Sequence, residues 1–333
     1  MGRLIVLVLL GSGIWMALWA FGSIAYEREL RNWLADRQAL GWDAEIEELV
    51  VEGFPNRFDT TVSGLRLADP GSGYAWSAPF VQTLSLAYKP HQVIAVLPPR
   101  HEFSTPGQTV SIAHDQARAS VFLDASTSLP LERVVIIIDR LSLASSLGWD
   151  MAVTEGRFAV EHEAATEASY RVGAALSEVV PPEFLSALLD PGGRMPADVE
   201  ALGLDASVRL DAPLDRHALD GPPPQVAEVN LADLSLKWGG VALRANGELE
   251  LDSTGALVGN LDVQATQWRQ VLDMASAAGL LGQEVPSALV QALELASLKD
   301  GRPETLNVPM VFKNGTTSLG PIPIGPAPKI LFR

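Results

Sequence analysis

The chain has no cysteine among its 333 residues, so it forms no disulfide bond and offers no thiolate nucleophile and no cysteine ligand for zinc. It is also poor in positive charge, with 24 lysines and arginines against 40 aspartates and glutamates and a net charge of −16. Binding to nucleic-acid phosphates requires clustered lysine and arginine. The composition therefore argues against a nucleic-acid partner and against electrostatic docking onto anionic lipid headgroups.

Sequence motifs of catalysis are missing as well. No Gly-x-Ser-x-Gly elbow supplies a serine for His114 and Asp115, and Gly71-Ser72-Gly73 is not followed by the helix start that a phosphate loop requires. Forty carboxylates make some close pair inevitable in any fold, so their number does not indicate a glycosidase. We therefore predict no catalytic residue and no cofactor, and we interpret the protein as a non-enzyme.

The histidines show no metal-ligand spacing. They are His91, His101, His114, His162 and His217, and no two lie three or four residues apart, the spacing that places two ligands on one helix face. His162 stands between two glutamates on a predicted strand, so its side chain points away from both. We predict solvent-facing or hydrogen-bonded structural histidines and no metal site.

What the chain does contain is a long apolar stretch. Residues 4–25, LIVLVLLGSGIWMALWAFGSIA, carry no charge over 22 positions. As a helix that rises about 1.5 Å per residue, the stretch covers roughly 33 Å, enough for a hydrocarbon core of about 30 Å. It predicts a transmembrane anchor over residues 1–26. The helical spacing of Leu30, Trp33, Leu34 and Leu40 predicts that a helical stalk, residues 27–42, continues from the anchor.

A cleaved signal peptide is the alternative interpretation of this stretch. Ser23-Ile24-Ala25 places small residues where a signal peptidase reads them, and Arg3 supplies a charged start. Signal-peptide apolar cores are shorter, however, at about 7 to 15 residues, and Trp15 and Trp19 favour an anchor. A plain count of lysine and arginine, with Arg3 against Arg28, Arg31 and Arg37, would place the large C-terminal part inside. Long domains, however, translocate largely regardless of flanking charge, so we expect this part to lie outside the cytoplasm.

After the stalk the hydrophobic pattern changes to a period of two, which is typical of half-buried strands. Val134 to Ile138 (VVIII) is an exception that predicts a strand buried on both faces. Asn314-Gly315-Thr316 matches a glycosylation sequon, but Asn-Gly between alternating segments also predicts a tight hairpin, and we interpret it as a turn. The predicted half-buried strands are at 44–52, 58–67, 80–88, 91–97, 109–123, 150–162, 204–210, 226–238, 241–252, 256–263 and 306–312.

Two later segments have helical spacing. The first spans 182–190, begins with a proline and ends before Pro191-Gly192-Gly193. The second spans about 266–298, and Pro286 predicts a break that makes it two helices. We predict a helix pair that covers one end of a sheet; an amphipathic cap on a lipid-filled groove is the alternative.

A weak internal repeat suggests how the β region is organised. A strand, a tryptophan and a second strand entered through glycine occur around Trp149 and again around Trp238, which predicts that each indole fills the space beneath a sheet. Chance similarity between hairpins is the rival explanation. Gly221-Pro222-Pro223-Pro224 is a stiff connector and the predicted boundary between a first β-rich region, 43–220, and a second, 225–333.

The most distinctive motif is Gly53-Phe54-Pro55-Asn56-Arg57-Phe58, between two predicted strands. Gly53 permits a positive φ, Pro55 holds Phe54 in an extended backbone, and Phe54 and Phe58 are two apolar anchors on either side of Arg57. One interpretation is a structural corner that secures a sheet edge, with Arg57 paired to a carboxylate or to carbonyls. The other is a ligand-facing arginine between two aromatic rings.

Five features of the chain occur together: the apolar start, the Gly-Phe-Pro-x-Arg-Phe corner, the Trp76-x-x-Pro79 step, Gly-x-Leu-x-Leu at 247–251 and Gly320-Pro-Ile-Pro-Ile-Gly325. In these features the chain resembles a family of bacterial proteins of unknown function, numbered 2125. That family is similar in outline to AsmA-like envelope proteins, in which an inner-membrane helix precedes a long antiparallel sheet curled around an apolar groove. The resemblance implies a single-pass inner-membrane protein with its large domain in the periplasm, and it transfers no catalytic residue.

We therefore expect a mainly β fold (β-rich α+β): an N-terminal transmembrane helix, then a large, curved, mostly antiparallel sheet domain with a few covering helices. The first functional hypothesis is an envelope protein, anchored in the bilayer, that binds or passes lipid or another amphipathic component along a β groove. The second is a structural or assembly scaffold that binds a protein partner near the membrane. An envelope hydrolase is the third.

Overall fold

A computed structural model describes residues 2–219, 223–252, 254–279, 287–299 and 302–329. Strands dominate this part of the chain, and helices are few. The helices are α1 (Gly2–Ala39), α2 (Glu183–Leu189), a 3-10 turn (Arg216–Leu219), α3 (Trp268–Ala277) and α4 (Ser287–Lys299). The strands are β1 (Asp43–Glu45), β2 (Glu48–Glu52), β3 (Arg57–Asp69), β4 (Tyr74–Leu86), β5 (Lys89–Val96), β6 (Arg100–Thr105), β7 (Gln108–Ala113), β8 (Gln116–Leu123), β9 (Leu131–Ser145), β10 (Asp150–His162), β11 (Ser169–Val180), β12 (Val199–Leu210), β13 (Val226–Trp238), β14 (Val241–Leu251), β15 (Leu257–Thr266), β16 (Thr305–Lys313), β17 (Thr316–Leu319) and β18 (Ile322–Pro326).

Contacts divide the chain into two compact units. Unit 1 comprises Met1–Ala125 and Ile136–Gly148, and unit 2 comprises Ser126–Val135 and Trp149–Arg333. The predicted connector at Gly221-Pro222-Pro223-Pro224 falls within the second unit, and its residues 221 and 222 lie outside the described residues. The predicted limits of the two β-rich regions stay a prediction.

In unit 1 the helix α1 precedes an antiparallel sheet. The helix is continuous from Gly2 to Ala39, so the apolar stretch and the predicted stalk form one element. Strand β3 pairs with β2 and β4, β4 pairs with β5 and β6, and β5 pairs with β8. Since the register matches Phe58 with Ser85 and Arg57 with Leu86, successive residues of β3 and β4 alternate between two faces.

In unit 2 the strands β10 to β18 pair consecutively and antiparallel. The register gives this sheet one apolar and one polar face, because Leu204 lies opposite Leu234 while the next pair is Asp205 with Asp233. On the polar face Arg171 pairs with Asp205 at 2.6 Å. The alternating pattern read from the sequence therefore marks one-sided burial, as expected of an antiparallel sheet.

The apolar face of unit 2 contains its core. Six buried residues form one cluster: Ala206, Leu231, Ala245, Leu261, Phe312 and Ala327. Helices α3 and α4 supply Trp268 and Leu293 to a second cluster over Ala265 and Leu306. The indole N–H of Trp268 donates to the carbonyl of Pro303 at 3.0 Å. The helix pair thus covers part of the sheet, and Pro286, the predicted break between the two helices, lies outside the described residues.

The turn at Asn314-Gly315 agrees with its prediction, and the burial of Val134 to Ile138 does not. Asn314 and Gly315 have φ of 53° and 72°, and Lys313 pairs with Thr316, so the segment is a two-residue turn with two positive φ angles and the predicted hairpin is confirmed. The prediction that Val134 to Ile138 is buried on both faces is wrong. All five residues are partly exposed, because an uninterrupted apolar run records hydrophobicity but not what covers it.

Candidate functional site

The motif Gly53 to Phe58 forms a corner between β2 and β3. Gly53 has a φ of +99°, and a Cβ at this position would lie 2.8 Å from the carbonyl oxygen of Arg57. Its own carbonyl accepts hydrogen bonds from the backbone N–H groups of Asn56 and Arg57, at 3.2 and 2.9 Å. The chain reverses here within a few residues because glycine alone tolerates both the positive φ and the close backbone approach.

Two tryptophans of α1 hold this corner. The indole N–H of Trp15 donates to the carbonyl of Pro55 at 2.9 Å, and that of Trp19 donates to the carbonyl of Arg57 at 2.8 Å. Residues four apart on a helix lie on the same face, so both indole N–H groups point at the corner and bind two of its carbonyls. The sequence motif and the apolar stretch, which are about 40 residues apart, therefore form one structural unit.

Phe58 is the packing centre of this contact. Its side chain is 8% exposed, and its ring lies 6.1 Å from the ring centroid of Trp19 and, stacked, 6.1 Å from that of Tyr26. Gly22 of α1 faces the same ring, and a Cβ on Gly22 would lie only 2.9 Å from Cζ of Phe58. The absence of a side chain at Gly22 is thus what lets the ring approach the helix.

Arg57 points away from this contact. Its side chain pairs with Asp59 at 2.5 Å, on the sheet face opposite Phe58. Phe54 meets Trp19 edge to face at 5.3 Å and remains 54% exposed. The two phenylalanines therefore both contact α1 and do not enclose the arginine between them. We call the contact of Trp15, Trp19, Gly22 and Tyr26 with Gly53–Phe58 the helix–corner junction.

A cavity of about 470 Å³ adjoins the junction. It lies between α1 and the turn that joins β4 to β5, and its lining is mostly apolar, including Trp15, Leu18, Phe58 and Tyr88. The turn is tied to the corner, because the N–H of Ala87 donates to the carbonyl of Asn56 at 2.8 Å. An apolar chain is the kind of ligand that this lining suits.

A second apolar depression, about 440 Å³, lies on the opposite face of the same strands. The register pairs Leu84 with Ile94 and Gln92 with Phe122, so these four side chains lie on one face of the sheet. Leu86 and Arg57 extend the depression towards the corner. Ile94 is 41% exposed although it is aliphatic. We call this depression the β4–β5–β8 groove.

Unit 1 also brings together two histidines that the sequence spacing did not connect. His101 and His114 are 8% and 6% exposed, and their ring centroids are 5.6 Å apart. His101 Nδ1 lies 3.3 Å from the carbonyl of Pro98, whereas neither ring nitrogen of His114 has a hydrogen-bond partner among the described residues. The expectation of a solvent-facing His114 is therefore wrong, whereas the hydrogen-bonded alternative stays a prediction, since a hydrogen bond to the backbone of Pro98 is among the influences on its pKa. Asp115, its neighbour in sequence, pairs with Arg140 instead.

Burial sets the protonation of this pair. It lowers the pKa of His101 and of His114, and the proximity of His101 lowers the pKa of His114 further; the backbone of Pro98 acts in the opposite direction on both but more weakly, so the neutral form of each ring is favoured. The two histidines meet because β6 and β7 form a hairpin around Gly107, in which His101 lies opposite Ile112 and His114 follows closely after it. A predicted hairpin at Gly107 is the sequence feature that could have identified the pair. Among the residues that the structure describes, no three histidine or acidic side chains are grouped so as to hold a metal ion.

The three tryptophans singled out from the sequence occupy different environments. Trp238 is 2% exposed, and its indole N–H donates to the carbonyl of Pro196 at 2.8 Å. Trp76 is partly exposed and meets His101 edge to face at 6.2 Å. Trp149 is partly exposed just before β10. Their structural role, like the internal repeat, stays a prediction.

Comparison with known proteins identifies one family. The model of DUF2125, described as an uncharacterized protein conserved in bacteria, matches residues 19–328. The matched range begins at Trp19, so it includes most of the helix–corner junction and most of each unit. A search of curated proteins finds no match to the chain.

Proposed function

This chain belongs to the DUF2125 family of uncharacterised bacterial proteins, and on that premise we propose that it is a non-catalytic, single-pass inner-membrane protein that binds lipid or another amphipathic envelope molecule. Its large C-terminal part lies in the periplasm, and the ligand is held along apolar sheet faces, in the manner of AsmA-like proteins. Separate features of the molecule support the membrane anchor and the binding of lipid.

The anchor is supported by α1. Residues Arg3–Ala39 form a helix long and apolar enough to cross a membrane. Cleavage after Ala25 would remove Trp15, Trp19 and Gly22, which are the residues that hold the corner and cover Phe58. Burying an aromatic side chain contributes about 1.5–3 kcal/mol. Cleavage would expose Phe58 and destabilise the corner by about this amount. The contact therefore favours an uncleaved anchor over a signal peptide.

Lipid binding is supported most directly by two apolar depressions near the junction, which fastens β3 and its neighbour β4 to α1. The apolar cavity lies beside that helix, and the β4–β5–β8 groove lies on the opposite face of the same strands. An acyl chain that leaves the bilayer along α1 meets apolar surface at once and need not cross water. Leu234 and Phe158, 43% and 37% exposed on the sheet of unit 2, show a second apolar face of the same kind.

Mass spectrometry of the full-length protein, purified in detergent and analysed both by native spray and after solvent extraction, tests the proposal. We expect a stoichiometric phospholipid or other acyl compound. Leu84→Asp and Ile94→Asp should remove it, because a carboxylate in the groove opposes an acyl chain. Leu147→Asp is the matched control, since Leu147 is 67% exposed and lies outside the groove. Equal ligand content in all three variants would contradict the assignment of the groove.

The second candidate function, a scaffold for a protein partner, is favoured by α2. Phe184 and Leu188 lie four residues apart on this helix and are 62% and 46% exposed. An exposed apolar pair on one helix face is typical of a contact surface. If the purified protein folds but carries no lipid, site-specific cross-linking from position 184 tests this alternative, and a specific adduct that Leu188→Asp abolishes would support it.

A further inference from the structure

We propose that the corner itself lies inside the bilayer, in the leaflet nearer to the C-terminal part of the chain, together with the turn between β4 and β5. The helix is then not the only membrane-embedded part of the protein, because a bend of the sheet enters the lipid with it. This inference rests on the proposed membrane anchoring of α1, and it is independent of whether the groove binds lipid.

The corner contacts α1 well inside the apolar stretch of the helix. Arg3 and Glu27 are the charged residues that border the apolar stretch, and about 36 Å of helix separates them. That distance fits a hydrocarbon core of about 30 Å plus part of the headgroup layers. Trp19 and Trp15 lie about 12 Å and about 18 Å before Glu27 along the helix axis.

A headgroup layer is only about 5–8 Å thick on each side, which is half the difference between the whole bilayer and its core. The backbone that these two indoles contact, at Pro55 and Arg57, therefore lies below the headgroups of an upright helix. Raising the corner into water would leave only residues 3 to about 14 to cross the bilayer, about 18 Å of helix, which is too short.

Hydrogen bonding within the protein also suits the corner to a lipid environment. Irregular backbone in lipid is tolerated only where its polar groups are satisfied by protein, because each unpaired group costs several kcal/mol there. In the corner the carbonyls of Gly53, Pro55, Asn56 and Arg57 all accept hydrogen bonds from protein. Two of the donors are indole N–H groups of α1, which themselves need acceptors at this depth. Two carbonyls of the corner and the two indole N–H groups of the helix thus satisfy each other.

The corner and the neighbouring turn also expose aromatic side chains. Phe54 and Tyr88 are 54% and 59% exposed at the corner and at the neighbouring turn, and aromatic side chains are enriched near membrane interfaces. Arg57 is neutralised by Asp59. A long side chain such as that of Lys89 can extend towards the phosphates while its stem remains in an apolar layer. The aromatic part of this surface is therefore suited to lipid contact, and Glu52 and Asn56 are exposed polar side chains beside it.

The absence of cysteine makes a direct test possible, because a single introduced cysteine is the sole labelling site. Full-length Phe54→Cys carries a nitroxide label and is reconstituted into nanodiscs of phosphatidylethanolamine and phosphatidylglycerol. Accessibility to oxygen, which concentrates in lipid, is compared with accessibility to a water-soluble nickel complex. Phe21→Cys on α1, 75% exposed, is the lipid reference. Tyr74→Cys, 50% exposed at the other end of β4, is the aqueous reference, about 40 Å along the strand.

We expect the label at position 54 to be as inaccessible to the nickel complex as the label at position 21, while the label at position 74 is accessible to it. If position 21 is protected and position 54 behaves like position 74, the helix is anchored but the corner lies in water, and the inference is overturned. If position 21 is also accessible to nickel, the proposed anchoring itself fails. Tyr88→Cys repeats the test at the neighbouring turn, and near-UV circular dichroism verifies that each variant is folded.

Discussion

Replacing Gly22 by alanine should loosen the helix–corner junction. A Cβ at this position would lie 2.9 Å from Cζ of Phe58, closer than non-bonded carbon atoms approach each other. Phe58 is 8% exposed and stacks on Tyr26, so its ring has little room to move aside. Gly13, on the same helix, has nothing within 4 Å of the corresponding Cβ, and Gly13→Ala is therefore the matched control.

The expected magnitude follows from two opposing effects. Alanine is favoured over glycine in a helix interior by about 0.8–1 kcal/mol, and this gain applies to both variants. Overpacking in a filled site costs about 1–3 kcal/mol and applies to Gly22→Ala alone. The free energy of unfolding of Gly22→Ala should therefore be about 1–3 kcal/mol lower than that of Gly13→Ala. Phe58→Leu, which shortens the side chain at the point of collision, should reduce this difference.

Urea titration of the full-length protein in detergent micelles, followed by near-UV circular dichroism of the tryptophans, measures these differences. A double-mutant cycle between Gly22→Ala and Phe58→Leu should give a coupling of about 0.5–3 kcal/mol, the range for residues in contact. The reasoning is refuted if the two glycine variants have the same stability and the coupling is zero. Gly22 and Phe58 would then not be packed against each other in the protein.

Three further variants test other parts of the structure. Trp19→Phe keeps an aromatic ring but removes the N–H that binds the carbonyl of Arg57, and urea titration should show a loss of about 0.5–1.5 kcal/mol; an unchanged midpoint contradicts this role. Burial lowers the pKa of His114 below the usual 6.5, so the unfolded chain takes up a proton that the fold resists, and the free energy of unfolding should fall as the pH drops below about 6.5. His114→Leu should flatten that pH dependence, and an unaltered slope excludes the histidine as its source. Gly315→Ala, at a φ of 72°, should cost about 1–2 kcal/mol and speed amide exchange in β16 and β17, while Gly107→Ala, which has no positive φ, should leave exchange there unchanged.

Local patterns explain why much of the fold could be predicted. The apolar stretch at residues 4–25 became the first part of α1, and the alternation at 226–238 became β13, because helix and strand periodicity are properties of neighbouring residues. Asn314-Gly315 specified its turn for the same reason, since two positive φ angles are needed within two residues. The strands β6, β11, β17 and β18 were not predicted, although β11 is 12 residues long. Its alternation is weakened by alanine and glycine, whose small side chains leave little contrast between the two faces.

The candidate site was found only in part. The motif Gly53 to Phe58 was recognised as a corner, but nothing in the sequence connected it with Trp15 and Trp19. That connection arises because the chain that follows α1 runs back beside the helix and brings together residues about 40 positions apart. The histidine pair was missed for a similar reason. Its members are 13 positions apart and meet only through the register of β6 and β7.

By itself, the sequence determined the apolar helix, the period-two strands, the glycine-dependent turns, the acidic character of the chain and the lack of any thiol chemistry. Each of these depends on the identity of a residue and its immediate neighbours, so it is already decided in the unfolded chain. Only the tertiary structure decided that Trp15, Trp19 and Gly22 hold the corner, that Arg57 faces away from Phe58, and that two neutral histidines meet in unit 1. These features require distant segments to pack together, and burial, hydrogen-bond pairing and lowered pKa values arise from that packing.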